Sequence, residues 1–425
     1  NAVIRRGPGQ AWNYERAWRA IVGAAEPDVD GGASATVTVE LTDVRVSDGR
    51  LVVETPTTSI AVLGLNADVA RATLSDPAGR APEIVARRAS GDVVLPAIDR
   101  RFAVTVVDAT ARLDDGTTFA AASATVDGAR LSAVRGTYSA ATGLELALRA
   151  EEVPLADLQW LIADLPDAGT ASFALDLAPV GDGRSRVSIT ELAVASGASS
   201  VRGSLTVVVG GPAAALEAVD LTLDPLELAL LERVTGPLPI TGTVRGAISG
   251  SGGALRFRVV GALTATGAAT GFSADLEGTA EYDAAGFRLT SLVADLTNVP
   301  LAALSPLIPG VPLAGTVTGR IALRGAPGDV PLDVDVRLAL DVGTLLLRGA
   351  LDLRGPVPAY DLTGQTVDLS LAALFGQGVP PVQLTSTFTL VGAGTTAAAA
   401  TLRLALTGRL TGWRTDSGDA VDVVL

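Results

Sequence analysis

The sequence predicts an all-β protein: an elongated, curled antiparallel sheet, a β-taco or groove, built from repeats of about 72 residues with about five strands and one short helix each. Three observations carry that expectation. Apolar and polar residues alternate with period 2 in run after run, as in strands with one dry and one wet face. Asp-Gly pairs punctuate the runs, and such pairs tolerate the positive φ of tight hairpins. A Pro-Leu segment recurs at a near-constant interval, which marks a repeat architecture.

Taken in chain order, Asn1–Arg6 reads as an opening strand. Gln10–Ala25 places Ala11, Tyr14, Trp18, Ile21, Val22 and Ala25 on one helical face, and Pro27 follows. That pattern predicts a helix whose aromatic residues (Trp12, Tyr14, Trp18) pack on the end of the groove. Strands are expected at Thr36–Val46, Arg101–Val107, Arg186–Leu192, Val201–Val209, Leu255–Val260, Leu332–Val342 and Thr401–Leu406. In the clearest run Leu332, Val334, Val336, Leu338, Leu340 and Val342 alternate with Asp333, Asp335, Arg337, Ala339 and Asp341. At about 3.3 Å per residue it would span roughly 36 Å. Turns are expected at Asp48-Gly49, Asp115-Gly116, Asp127-Gly128 and Asp182-Gly183.

The repeat begins at Pro154, Pro225, Pro300 and Ser370, each opening a short apolar helical segment. Gly169-Thr170, Gly242-Thr243 and Gly315-Thr316 follow as strand openings, with Thr385-Ser386 in the fourth copy. The expected organisation is an N-terminal β region over 1–153, repeats over 154–224, 225–299 and 300–369, and a partial repeat over 370–425. No Pro- or Ser-rich linker separates the copies, which favours one continuous sheet over separate domains.

Composition narrows the chemistry. The 425 residues carry a formal charge of −14, with 32 basic residues, all Arg, against 46 acidic ones. A phosphate-binding surface needs clustered positive charge, so nucleic acid is not an expected partner. There is no His, Cys, Met or Lys. Imidazole acid–base catalysis, thiolate chemistry, Schiff bases and the usual zinc sites are therefore closed to this chain. No enzyme activity, cofactor or metal is expected. Pro27–Gly32 lacks the further acidic ligands of a calcium loop. Gly250-Ser251-Gly252-Gly253 lacks the helix and Lys of a phosphate cradle and reads as a hairpin.

The remaining signal is aliphatic. Ala, Val, Leu and Ile dominate an apolar fraction of 48%, whereas aromatics are 4%. Mean hydropathy is +0.40. A long sheet with one apolar face has to cover it. With few helices available, it curls over a trough that aliphatic side chains leave open. The guest such a trough fits is an acyl chain, at about 0.8 kcal/mol per buried methylene. Leu332, Val334, Val336, Leu338, Leu340 and Val342 are the expected lining. The competing expectation is a structural or adhesive β-repeat protein with closed domains and no lipid.

The pattern resembles the AsmA/TamB-like family of bacterial envelope proteins, related to bridge-like lipid-transfer proteins with repeating β-groove modules. The resemblance rests on Val39–Leu51, the Trp12-Asn13 segment after the opening strand, the Pro-Leu helices with their Gly-Thr strands, and Ser199–Leu205. It implies a periplasmic conduit that moves phospholipid between inner and outer membranes. It also implies an inner-membrane anchor, expected upstream because the chain opens on Asn1, and a partner at the outer membrane.

Overall fold

The computed structural model describes residues 3–6, 39–54, 59–75, 81–95, 100–113, 116–139, 141–159, 164–211, 214–235, 240–265, 271–283, 286–301, 315–325, 331–354, 357–375, 382–394, 401–414 and 420–424. The helix expected at 10–25 and the loop at Pro27–Gly32 lie outside them. The described residues form one sheet, antiparallel apart from its first strand, that does not close into a barrel. Among them, no helix is long and apolar enough to cross a membrane. The chain divides into two compact units, Asn1–Val194 with Thr206–Ala213, and Ala195–Leu205 with Ala214–Leu425.

The first unit holds β1 (Val3–Arg6), β2 (Val39–Glu54), β3 (Ser59–Ser75), β4 (Glu83–Leu95), β5 (Arg100–Leu113), β6 (Gly116–Val126), β7 (Ala129–Ser139), β8 (Gly143–Pro154), α1 (Leu155–Leu158), β9 (Thr170–Gly181) and most of β10 (Arg184–Ser196). β1 adds to β2 in parallel, and from β2 to β9 each strand pairs antiparallel with the next. Asp127-Gly128 and Asp182-Gly183 turn as expected, with both residues of each pair at positive φ. Asp48-Gly49 does not turn. β2 runs straight through it, and Asp48, at φ 50°, sits in a bulge. The αL conformation that Asp-Gly favours serves a bulge as well as a turn. Ala133 of β7, at φ 50°, sits in a further bulge, whereas Asp43 of β2 and Asp108 of β5 take positive φ with no shift of register. Bulges bend the strand that carries them and raise its twist.

β11 (Ser199–Val209) is shared between the units. The second unit continues with β12 (Ala215–Glu227), α2 (Leu228–Thr235), β13 (Ile240–Ser251), β14 (Ala254–Ala265), β15 (Gly271–Asp283), β16 (Gly286–Pro300), β17 (Thr316–Arg324), β18 (Leu332–Leu340), β19 (Gly343–Asp352), β20 (Ala359–Ser370), α3 (Leu371–Phe375), β21 (Gln383–Ala393), β22 (Thr401–Arg414) and β23 (Ala420–Val424). From β12 onward each strand pairs antiparallel with the next. Three strand spacings of about 4.8 Å would hold β12 and β15 roughly 14 Å apart in a flat sheet. Their Cα atoms come within 8 Å, so the sheet curls here toward its apolar side. Leu223, Leu228, Val244, Leu263 and Ala274 pack together inside that curl.

The repeat is real but differs in detail from expectation. Four strands, not about five, lie between successive connectors: β13–β16 and β17–β20. The strands run longer than the alternating runs implied, because bulges and glycines carry them past breaks in the apolar pattern. The second copy also shifts. β12 continues through Pro225 and the helix starts at Leu228, so Leu155, Leu228, Leu301 and Leu371 are the equivalent residues. In the third copy only Leu301 of the connector falls among the described residues.

Candidate functional site: the apolar face

The registers build an apolar surface strand by strand in the second unit. One row runs Leu221, Ile248, Phe257, Gly278, Leu292, Leu323, Val334, Gly349, Leu362, Leu390, Leu404, each paired directly with the next. The adjacent row runs Leu223, Gly246, Val259, Leu276, Ala294, Ile321, Val336, Leu347, Gly364, Phe388, Leu406. Neither row contains a polar side chain. Eleven strands at about 4.8 Å give each row a length of roughly 48 Å. The parallel row through Val244 and Leu338 meets polar groups only at Thr366 and Ser386. Those two hydroxyls are buried and bond to each other at 2.9 Å. Thr366→Val alone is expected to cost about 1–2 kcal/mol in urea unfolding, because it strands Ser386. The double change Thr366→Val with Ser386→Ala is expected to recover most of that loss.

The expected lining residues on β18 stand on this face. Leu332, Val334 and Val336 are buried, and Leu338 and Leu340 are half-buried. Val342 does not belong with them. β18 ends at Leu340, and Asp341-Val342 forms the turn to β19, where the Val342 carbonyl accepts the Ser370 N–H at 2.7 Å. The alternation continued by chance through the turn. The burial of Val334 and Val336 shows that neighbouring aliphatic residues close over the centre of the strand. The face opens elsewhere: Leu402 and Leu404, near the start of β22, are 58% and 53% exposed.

The outward face is charged and paired. Arg337 and Arg348 flank Asp335 at 3.2 and 3.4 Å, and Arg320 approaches Asp295 at 3.5 Å. Burial opposes ionisation of Asp335, but hydrogen bonds and charge from the two arginines outweigh it and lower its pKa. In the turn after β19, the Arg354 side chain and backbone N–H hold the Asp352 carboxyl at about 2. Such exposed pairs add about 0–1 kcal/mol each, and chiefly keep this face wet. A shallow depression of about 530 Å³ also lies on the polar side, lined by Leu346, Thr363, Gln365, Thr387, Thr389 and Thr407 among others. Its hydroxyl and amide groups offer water partners, so it is a poor seat for an aliphatic guest.

At one edge of the sheet the face is walled. Before each connector the strand carries a register shift: Ala150/Val153 in β8, Leu223/Leu226 in β12, Leu296/Val299 in β16 and Thr366/Leu369 in β20. In three of them the bulge residue (Glu152, Asn298, Asp368) is at positive φ and its N–H donates to a hydroxyl on the next strand, from Ser172, Thr318 and Thr385 respectively. The first connector N–H then bonds the chain just ahead of that strand: Leu155 to the Gly169 carbonyl at 3.0 Å, Leu301 to Gly315 at 2.9 Å, Leu371 to Val382 at 3.1 Å. Leu155 and Val317 are 1% exposed and Leu301 is 5% exposed. Leu158 of α1 packs on Ala129, Ala150 and Val153, and Leu301 packs with Val299 and Val317 against Leu338 and Leu340. The connectors thus fold over the apolar face and do not hang free beside it. Sequence reading found the Pro-Leu segments but not the bulge. Its signal was present as an Asp, Glu or Asn three residues before the connector Leu: Glu152 before Leu155, Asn298 before Leu301, Asp368 before Leu371.

Comparison of the chain with family models, with curated proteins and with solved structures finds no match. The fold and the face define a class on their own terms: an open β-repeat sheet whose second unit carries a continuous apolar side.

Proposed function

We propose that this chain is a lipid-transfer conduit that holds phospholipid acyl chains along the apolar face, with their polar heads in water. The observation that carries the reading is the pair of rows from β12 to β22 that no polar side chain interrupts, with Leu404 at their end exposed. A core built only for stability would bury Leu402 and Leu404 under another layer. A dozen methylenes laid along such rows gain roughly 10 kcal/mol before ordering costs. Sliding along them breaks no hydrogen bond, since the rows offer none. The AsmA/TamB-like resemblance adds the setting: the periplasm, an inner-membrane anchor and delivery toward the outer membrane.

The test is direct. Native mass spectrometry and lipid extraction of the purified chain are expected to find co-purifying phospholipid. A preparation free of bound lipid that also fails to take up phospholipid from vesicles would sink the proposal.

A further inference from the structure

Resting on that reading, we infer that the trough is one-sided: guests enter and leave sideways over the edge opposite the connectors, and their polar heads lie along that edge. β12, β16 and β20 follow one another at four-strand steps in the antiparallel order, with three strands between each, so all three run the same way and all their connectors fall on one edge of the second unit. There the apolar side chains on the trough side are sealed, and the exposed Val367 faces outward. Leu228, Val299, Leu301, Val317, Leu369 and Val382 are all buried.

At the opposite edge the pattern inverts. Tyr282 at the end of β15, Leu353 and Val357 in the β19–β20 turn, and Leu402 and Leu404 at the start of β22 are large apolar residues left exposed. Leu332, at the start of β18, is the exception and is buried beside Gly325. The first unit repeats the asymmetry independently. Val153 and Leu155 are buried at its connector, whereas Leu41 and Leu144, at the far ends of β2 and β8, are exposed.

Charge does not decide the side. The opposite edge carries close ion pairs of both signs, Arg288 with Glu281 at 2.7 Å and Arg354 with Asp352 at 2.6 Å. A head bearing both a phosphate and an ammonium can meet such a rim without burying an unpaired charge. Arg245 pairs likewise with Asp224 at 3.2 Å near the connector edge, so the sidedness rests on which apolar residues are covered and which are exposed.

The experiment uses the full chain loaded from vesicles with two phosphatidylethanolamine probes, one photoreactive at the head and one at the end of an acyl chain. After irradiation, adducts are mapped by peptide mass spectrometry. Tail adducts are expected on the aliphatic rows. Head adducts are expected around Tyr282, Leu353, Val357 and Leu402, with loss of signal to background around Leu301, Ala373 and Val382. Tail adducts on the rows with head adducts at the connectors, or equally at both edges, overturn the sidedness alone. Absence of tail adducts from the rows overturns the lipid-carrying reading itself.

Discussion

Replacing Leu402 and Leu404 together with Asp is expected to strip bound phospholipid from the protein and leave its fold intact. Both side chains are more than half exposed, so little burial is lost when they change. Both lie on the apolar face at its open edge, and Leu404 ends one of the two central rows. Two carboxylates there would forfeit contact with several methylenes and place charge beside an acyl chain. About 3 kcal/mol of lost contact corresponds to roughly 100-fold weaker retention. The measurement is lipid recovered per mole of protein, alongside far-ultraviolet circular dichroism. A folded variant that keeps its lipid would show that the guest, if any, sits elsewhere. Val336→Asp is the worse test. Val336 is only 9% exposed, and a carboxylate forced into that packing would unfold the sheet whatever the protein carries.

A large loss of stability is expected from substitution at Gly319. Its φ is 155°, and a Cβ there would lie 2.1 Å from the Arg337 carbonyl oxygen on the neighbouring strand. That oxygen is backbone, so no rotamer change relieves the clash, and β17 and β18 would have to part. Gly319→Val is expected to cost about 3 kcal/mol or more, read as a lowered urea midpoint. Gly252, at φ 59° in the β13–β14 turn, has open space around it. Gly252→Ala there is expected to cost about 1 kcal/mol, the ordinary left-handed penalty. Equal effects at the two sites would show that the close strand approach at Gly319 is wrong.

Much of the fold was legible because the alternation of Leu332 to Leu340 has only one structural solution: a strand with a dry side. The equivalence of the copies was legible too, since the Pro-Leu segments and the Gly-Thr openings repeat together. What stayed hidden was conformational. Asp48-Gly49 reads as a turn but bulges, because the pair specifies a backbone conformation and leaves the larger context to set its use. Pro225 looked like the partner of Pro154, yet the connector starts at Leu228, because tertiary packing of that leucine against Val244 and Leu263 sets the start. The sequence marks which residues are apolar. It does not mark which of them their neighbours cover, so Val334 and Leu404 looked alike until the registers placed them.

The four-strand module has an evolutionary corollary. With an even count, the polypeptide leaves each module heading the way it entered, so whole modules can be duplicated or lost without reversing the polarity of those downstream. Gain of a single strand would turn every later connector to the far rim and plug the entrance. Such a scaffold can therefore lengthen only in quantised steps if it is to stay open along one flank.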